Sequence, residues 1–272
     1  WGAKVIRKKK LVVDWDDMWG GGFADEHGSL VSKILTFCER YFLIYADQIT
    51  FVSEAIEKEI ELVGKKYPVV RDIPKRKIPN GANTAQISVR DKVLSRRKLG
   101  VADSVVLLSI GNTYTDSLGL MLEAFETVHK NCPEATLYLV GEVELPDRFN
   151  HLCNKNRNCV RLIGNVPLPE IVDYMGAADV LLLPMDDNPI ERARFPMRFG
   201  DYLCARRPIV SNAVGEVKYY LSRYDAGKIP HVSSVEDFAN SILTVLNDRV
   251  LTETISDNAR KLADGDLNWE GS

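Results

Sequence analysis

Apolar positions along this chain fall either in short unbroken runs or in stretches spaced three and four apart. That rhythm predicts strands alternating with helices almost throughout. "KLVVDW" (10–15) is a compact β-branched run, and "SLVSKILTFCERYFLIYAD" has helical spacing with Ser29 placed to cap it. "QITFV" reads as a strand, and "SEAIEKEIELVG" as a helix capped by Ser53 and closed by Gly64. "KRKIPNGAN" gives a short strand that ends in the turn signature Pro79-Asn80-Gly81.

A second series follows. "SVVLLSIG", "ATLYLVG", "VRLIGN", "DVLLLPM" and "RPIVSN" read as strands, with "AGKI" as a last short one. Between and after them, helices are expected at "SLGLMLEAFETVHKN", at a weaker segment near 146–155, at "LPEIVDYMGAA", at "FPMRFGDYLCA", at "GEVKYYLSRY" and at "SVEDFANSILTVLND". A final helix is expected to run to about 263. Continuous apolar strands separated by helices indicate parallel strands buried on both faces, a doubly wound α/β arrangement. The rhythm breaks at "PNGAN". The chain therefore divides into a partial α/β domain over 1–80 and a complete one over 81–263.

Length agrees with two domains, since 272 residues exceed the usual size of one core. A net charge of −3 gives no global reason to expect nucleic acid. "RKKK" (7–10) is a basic lead-in to a strand, either solvated or in contact with an anionic membrane surface. The five cysteines (Cys38, Cys132, Cys153, Cys159, Cys204) include no C-x-x-C pair and read as reduced thiols of a cytosolic chain. The four histidines have no metal-ligand spacing, and no apolar run is long enough to span a bilayer. The chain opens at Trp1 and closes on "NWEGS", so both ends read as cut from something longer.

Ligands of open α/β sheets bind at the carboxyl ends of strands, where helix N-termini attract anions. Three such junctions stand out: Gly111-Asn112, Gly141, and the stretch 185–198. Each glycine also reads as a plain tight turn. No G-x-G-x-x-G and no P-loop motif is present. In "FPMRFGDYLCARRPIVSN" (195–212), Pro196 suits a first helical turn, and Arg198 and Asp201 share a face. With Arg194 just upstream, two guanidiniums beside a helix N-terminus suit a diphosphate, and the aspartate suits sugar hydroxyls. The other reading is a surface ion pair between Arg198 and Asp201.

That segment resembles the sugar-nucleotide motif of the retaining GT-B glycosyltransferases, in particular glycosyltransferase family four (glycosyl transferases group 1). "ADQITFVSEAIEKEI", "IPNGAN", "LLSIGN…LMLEAF", "LYLVGE" and "VRLIGNVPLPEIVDYMGAADVLLLP" resemble further blocks of the same family, in its order and over nearly the whole chain. The resemblance implies an α/β fold of GT-B type, with two Rossmann-like doubly wound domains of which the first is incomplete here. Residues 264–272 would begin the crossover back to the first domain.

By that resemblance Asp201 matches the glutamate that binds the donor ribose, and Arg198 a position often basic in the "FP-x-K" variants. Phe195 and Pro196 would line the approach to the diphosphate. Gly111, with Asn112 after it, matches the end of the donor domain's first strand, and Gly141 the loop beside the nucleobase. Asp16 and Asp17 stand where the family often has a His-Asp pair facing the transferred sugar, so with Arg198 they are the candidate catalytic residues.

Three departures are visible. The family's first motif glutamate is replaced by Ala193, with Glu191 nearby. The basic residues of the loop after "SIG" are replaced by Asn112 and about Asp116, which leaves phosphate neutralisation to Arg194 and Arg198. The glycine-rich loop of the first domain is absent.

The implied activity is transfer of a sugar, of hexosyl type, from a nucleoside-diphosphate donor to an acceptor hydroxyl with retention, in glycan or glycolipid assembly. The donor is a substrate, no cofactor is expected, and the acceptor is a sugar or a lipid-linked sugar. The family's chemistry is generally metal-independent. "DWDD" (14–17) contains a D-x-D spacing, but at a first-domain strand end where a structural or cleft-facing carboxylate is expected instead. Asp186-Asp187 reads equally as a sugar-hydroxyl contact or a solvated loop. The expected location is cytoplasmic, with room for peripheral contact at the inner membrane face; oligomeric state stays open. Two alternatives remain: a non-catalytic sugar-nucleotide-binding or scaffold protein of the same fold, favoured by Ala193, and a GT-B nucleotide-sugar epimerase.

Overall fold

A computed structural model of the chain describes residues 9–20, 29–101, 104–111, 115–153 and 159–271. The chain forms two compact units. The first gathers the chain up to Asn80 together with 187–196 and 214–216; the second takes 81–186, 197–213 and 217–272.

The first unit holds a parallel sheet ordered β1 (Val12–Trp15), β2 (Gln48–Phe51), β3 (Lys75–Lys77). Helix α1 (Ser29–Tyr41) leads into a 3-10 turn, Phe42–Tyr45, whose Leu43 is buried. Helix α2 (Glu54–Lys66) starts where the Ser53 hydroxyl accepts the Ile56 amide, and it buries Ile56, Ile60 and Val63. A short helix, α3 (Val69–Asp72), precedes β3. Segment 187–196 carries helix α7 (Pro189–Ala193), capped by Asn188, which packs on α2. At 214–216, the buried Glu216 carboxylate accepts the Glu54 amide at 2.8 Å and pairs with Lys77 at 2.7 Å. An anion there suits the positive end of α2.

The second unit is a five-stranded parallel sheet in the order β6-β5-β4-β7-β8. Its strands are β4 (Val105–Ile110), β5 (Ala135–Val140), β6 (Val160–Gly164), β7 (Val180–Leu182) and β8 (Ile209–Val210). Helices α4 (Lys92–Leu99), α5 (Thr115–Asn131), α6 (Leu168–Ala177), α8 (Met197–Cys204), α9 (Gly215–Tyr224), α10 (Val235–Asn247) and α11 (Arg249–Asp264) accompany it. The core joins Leu107 and Leu137 of the strands to Leu122 and Phe125 of α5 and Phe238 of α10, all fully buried. Burying each such side chain stabilises by about 1.5–3 kcal/mol. The sheet runs outward in both directions from β4, so the strand order reverses between β4 and β7. Such a reversal opens a crevice at the strands' carboxyl ends.

Several local expectations are corrected. Gly64 lies inside α2, which continues to Lys66; the absent side chain lets Arg71 approach and donate to the Gly64 carbonyl at 2.9 Å. Helix α1 stops at Tyr41 and tightens into the 3-10 turn instead of running on to Asp47. The segment near 146–155 is a 3-10 helix, Asp147–Cys153. "AGKI" forms only a bridge between Lys228 and Val210. Pro196 precedes the first residue of α8 by one position instead of lying within its first turn. Helix α4, bounded by the Asp91 cap and the left-handed Gly100, went unrecognised because its residues are mostly polar. The end of the chain pairs with Ala82 within the second unit: the Ala82 amide donates to Leu267, and the Trp269 amide to Ala82. The Ser29 side chain, Arg7, Lys8 and the Cys153 side chain lie outside the described residues, and Cys38, Cys132, Cys159 and Cys204 are free thiols.

Candidate functional site

In the second unit the candidate site lies at the switch between β4 and β7. Strands β4, β5 and β6 each end on a glycine in the left-handed region: Gly111 (φ 87°), Gly141 (φ 124°) and Gly164 (φ 75°). A side chain at Gly141 would meet the Gly111 backbone at 3.0–3.1 Å, so the two strand ends touch main chain to main chain. Arg198, in the first turn of α8, donates from Nη1 to the Ile110 carbonyl at 2.9 Å, beside Gly111. Its guanidinium is thus held at the carboxyl end of the central strand.

One turn further along α8, Asp201 is largely buried, and among the described residues its carboxylate has no hydrogen-bond or ion-pair partner. Burial pushes its pKa up to about 6. The surface-pair reading of Arg198 with Asp201 is therefore corrected: the half-buried aspartate forms no ion pair with Arg198. Tyr202, the next residue, is fully buried; its hydroxyl accepts the Ile110 amide at 2.8 Å and donates to the Leu182 carbonyl at 3.3 Å. That single oxygen ties α8 to both strands flanking the crevice.

In the first unit a cleft of about 380 Å3 opens at the carboxyl end of β1, lined by Asp14, Trp15, Asp16, Asp17, Trp19 and Glu39 among others. Burial raises the pKa of Asp16, and the neighbouring charge of Asp17 adds to it. Asp17 is raised by burial as well, with the Arg194 guanidinium pulling it down. Arg194 forms a largely buried ion pair with Glu191 at 2.7 Å. From the turn after β3, Asn80 donates to the Phe195 carbonyl at 2.7 Å and to Asp16 Oδ1 at 3.3 Å. Glu39 accepts the Trp19 and Gly20 amides at 2.6 and 3.0 Å, fixing the loop that follows Asp17.

The candidate residues thus fall into two sets. Gly111, Gly141, Arg198 and Asp201 come together in the second unit; Asp16, Asp17, Glu191, Arg194 and Phe195 belong to the first, as does Pro196. Phe195 contributes its backbone carbonyl while its ring is buried. Asn112 and the Asp116 side chain lie outside the described residues. Asp186 and Asp187 fall in different units, and Asp187 pairs with Arg192 at 2.6 Å. Among the described residues no group of three or more His, Cys, Asp or Glu is arranged to hold a metal ion. Sequence reading missed Asn80 and Tyr202. The first read as a turn residue and the second as core; only their long-range partners distinguish them.

A family model described as "Glycosyl transferases group 1" matches residues 104–248. TuaH of Bacillus subtilis (strain 168), which carries the name of a putative teichuronic acid biosynthesis glycosyltransferase, is 23% identical over 233 residues. That alignment covers 81% of this chain and 56% of the relative, so the chain spans about half the length of the curated protein it matches. Among solved structures, Anabaena Alr3699/HepE in complex with UDP-glucose aligns at a TM-score of 0.75 and 19% identity, over 97% of this chain and 70% of that one. The same protein with UDP and glucose aligns at 0.72 over 96% and 68%. WaaG, a glycosyltransferase involved in lipopolysaccharide biosynthesis, aligns at 0.70 and 18% identity, over 94% and 71%. These likenesses identify the fold as α/β of GT-B type.

Proposed function

We propose, starting from the fact that this chain belongs to the glycosyl transferases group 1 family, that it transfers a sugar from a nucleoside-diphosphate donor to an acceptor hydroxyl with retention. The observation that carries the donor half is Arg198 anchored on the Ile110 carbonyl, one helical turn from the unpartnered Asp201 carboxylate. A guanidinium at a helix start suits a diphosphate and stabilises the charge that builds on it as the sugar leaves. A carboxylate in a largely buried position accepts ribose hydroxyls, which replace the water it has lost. The missing side chain at Gly111 lets the nucleotide approach the backbone beside Arg198, while Gly141 lets the two strand ends pack together. Asp16 and Asp17, in the first unit's cleft, serve the transferred sugar and the acceptor hydroxyl. In this reading the donor is a substrate, and the protein's own cations meet the phosphate charge.

UDP nucleotides are the first donors to test, because Alr3699/HepE is solved with UDP and UDP-glucose. The acceptor in this reading is a sugar or lipid-linked sugar. Peripheral contact with an anionic membrane fits helix α1, whose exposed Leu30, Ile34 and Phe37 alternate with the exposed Lys33 and Arg40. Among the described residues no helix is long and apolar enough to cross a membrane.

Isothermal titration with UDP and GDP tests the donor assignment, and a donor-turnover assay tests transfer. Binding that weakens by about 1 kcal/mol or more in Asp201→Ala supports the ribose contact; unchanged affinity removes it. Binding without turnover by the full-length protein would favour a non-catalytic binder, the reading that Ala193 supports.

A further inference from the structure

We infer that Asn80 is a positioning residue, whose side-chain amide spans Asp16 and the Phe195 carbonyl and holds the Asp16 carboxylate in one orientation for the transfer step. The inference rests on the reading above that Asp16 serves that step. Asn80 follows β3, and Asp16 is the first residue after β1; in a parallel sheet both lie at carboxyl ends. A turn asparagine ordinarily bonds its own neighbouring backbone. Asn80 instead donates to groups 64 and 115 positions away.

Its orientation is forced. Both partners of Nδ2 are acceptors, so flipping the amide would set its oxygen against the Phe195 carbonyl and the Asp16 carboxylate. The shorter bond goes to a carbonyl that does not titrate, so the amide plane keeps its setting across pH. The second N–H is then committed to Asp16.

That bond opposes a crowd of like charges. Asp14 and Asp17 flank Asp16 along the chain, and Glu39 enters the same cleft from α1. Arg194, on segment 187–196, acts on Asp17. Burial, Asp17 and Asp14 all raise the Asp16 pKa, whereas the Asn80 hydrogen bond lowers it. Removing the amide leaves the raising influences unopposed, so Asp16 takes up a proton at higher pH.

Carboxyl carbon-13 NMR of the aspartate-labelled protein, with Asp16 assigned by Asp16→Asn, measures this directly. In Asn80→Ala the Asp16 midpoint should rise by about 0.5 or more, and in the nearly isosteric Asn80→Asp further still. The acidic limb of the pH profile for sugar transfer should move with it. Thermal melting checks that each variant folds, and Asn80→Asp decides if the alanine variant does not. A midpoint unmoved in the folded variants overturns the inference. A midpoint that moves while the acidic limb stays put overturns Asn80's part in the reaction, because Asp16 is then not the group the rate depends on. A native protein that binds donor but transfers no sugar overturns the glycosyltransfer reading instead, and the titration still reads Asn80's hold on Asp16.

Discussion

The Ile110 amide, on the last residue of β4, donates to the Tyr202 hydroxyl of α8 at 2.8 Å, although 92 residues separate them. The same hydroxyl reaches the Leu182 carbonyl at the end of β7. Removing it in Tyr202→Phe leaves a buried N–H and a buried carbonyl each short of a partner. The expected loss is about 1–3 kcal/mol of stability, read as a lower urea midpoint with an unchanged slope. A midpoint equal to wild type would show that other groups satisfy both ends.

Asp201 should make stability fall as pH rises. Its folded pKa is lifted from 3.8 to about 6 by burial. Between those values the native state keeps a proton that the unfolded chain has released, so stability declines through that window and stays lower above it. Asp201→Asn removes the charge and should be about 1–3 kcal/mol more stable than wild type near pH 7.5. The gap should close below pH about 4, where both forms are neutral. Denaturation at the two pH values checks the sign.

Arg198 should matter to the diphosphate and little to the nucleoside. Arg198→Ala is expected to weaken UDP binding by about 1.5–3 kcal/mol, the worth of a hydrogen bond to a charged group, while leaving uridine nearly unaffected. Arg198→Lys should recover only part, since one ammonium cannot hold the Ile110 carbonyl and also present a planar fork. Calorimetry with both ligands separates these outcomes.

Gly141→Ala combines a strained backbone with a collision. At φ 124° a side chain is disfavoured, and its Cβ would sit 3.0–3.1 Å from the Gly111 main chain. A cost of about 2–4 kcal/mol follows. Gly100→Ala is the control: its φ is 68° but nothing lies within 4 Å, so about 1 kcal/mol is expected. Equal losses in the two variants would mean that close strand-end packing contributes nothing.

Metal removal should leave transfer intact. If protein cations neutralise the leaving diphosphate, excess EDTA should reduce the initial rate by less than about twofold. A rate abolished by EDTA and restored by magnesium would reassign that task.

Most of the fold was legible because parallel strands buried on both faces leave unbroken apolar runs, as in "VVLLSI" and "VLLLP". Helix α4 was not, since a cap and a terminal glycine around polar residues leave little periodicity to read. The candidate site was readable where its residues lie close in sequence, as at Arg198 and Asp201. It was illegible where it depends on distant partners. Nothing in "FGDYLCA" or "IPNGAN" indicates that Tyr202 answers to Ile110 or Asn80 to Asp16. Arg194 shows the same limit: its pairing with Glu191 is local, but its pull on Asp17 depends on a chain return that sequence order conceals.

That return also governs how the molecule can be dissected. Because 187–196 and 214–216 belong with the early part of the chain, no single scission yields either unit whole. A recombinant piece starting at Gly81 would carry Glu216 without Lys77 or the Glu54 amide, an ion stranded where its counterparts used to be. Domain-swap chimaeras should therefore transplant both short returns along with residues 1–80, or expect misassembly.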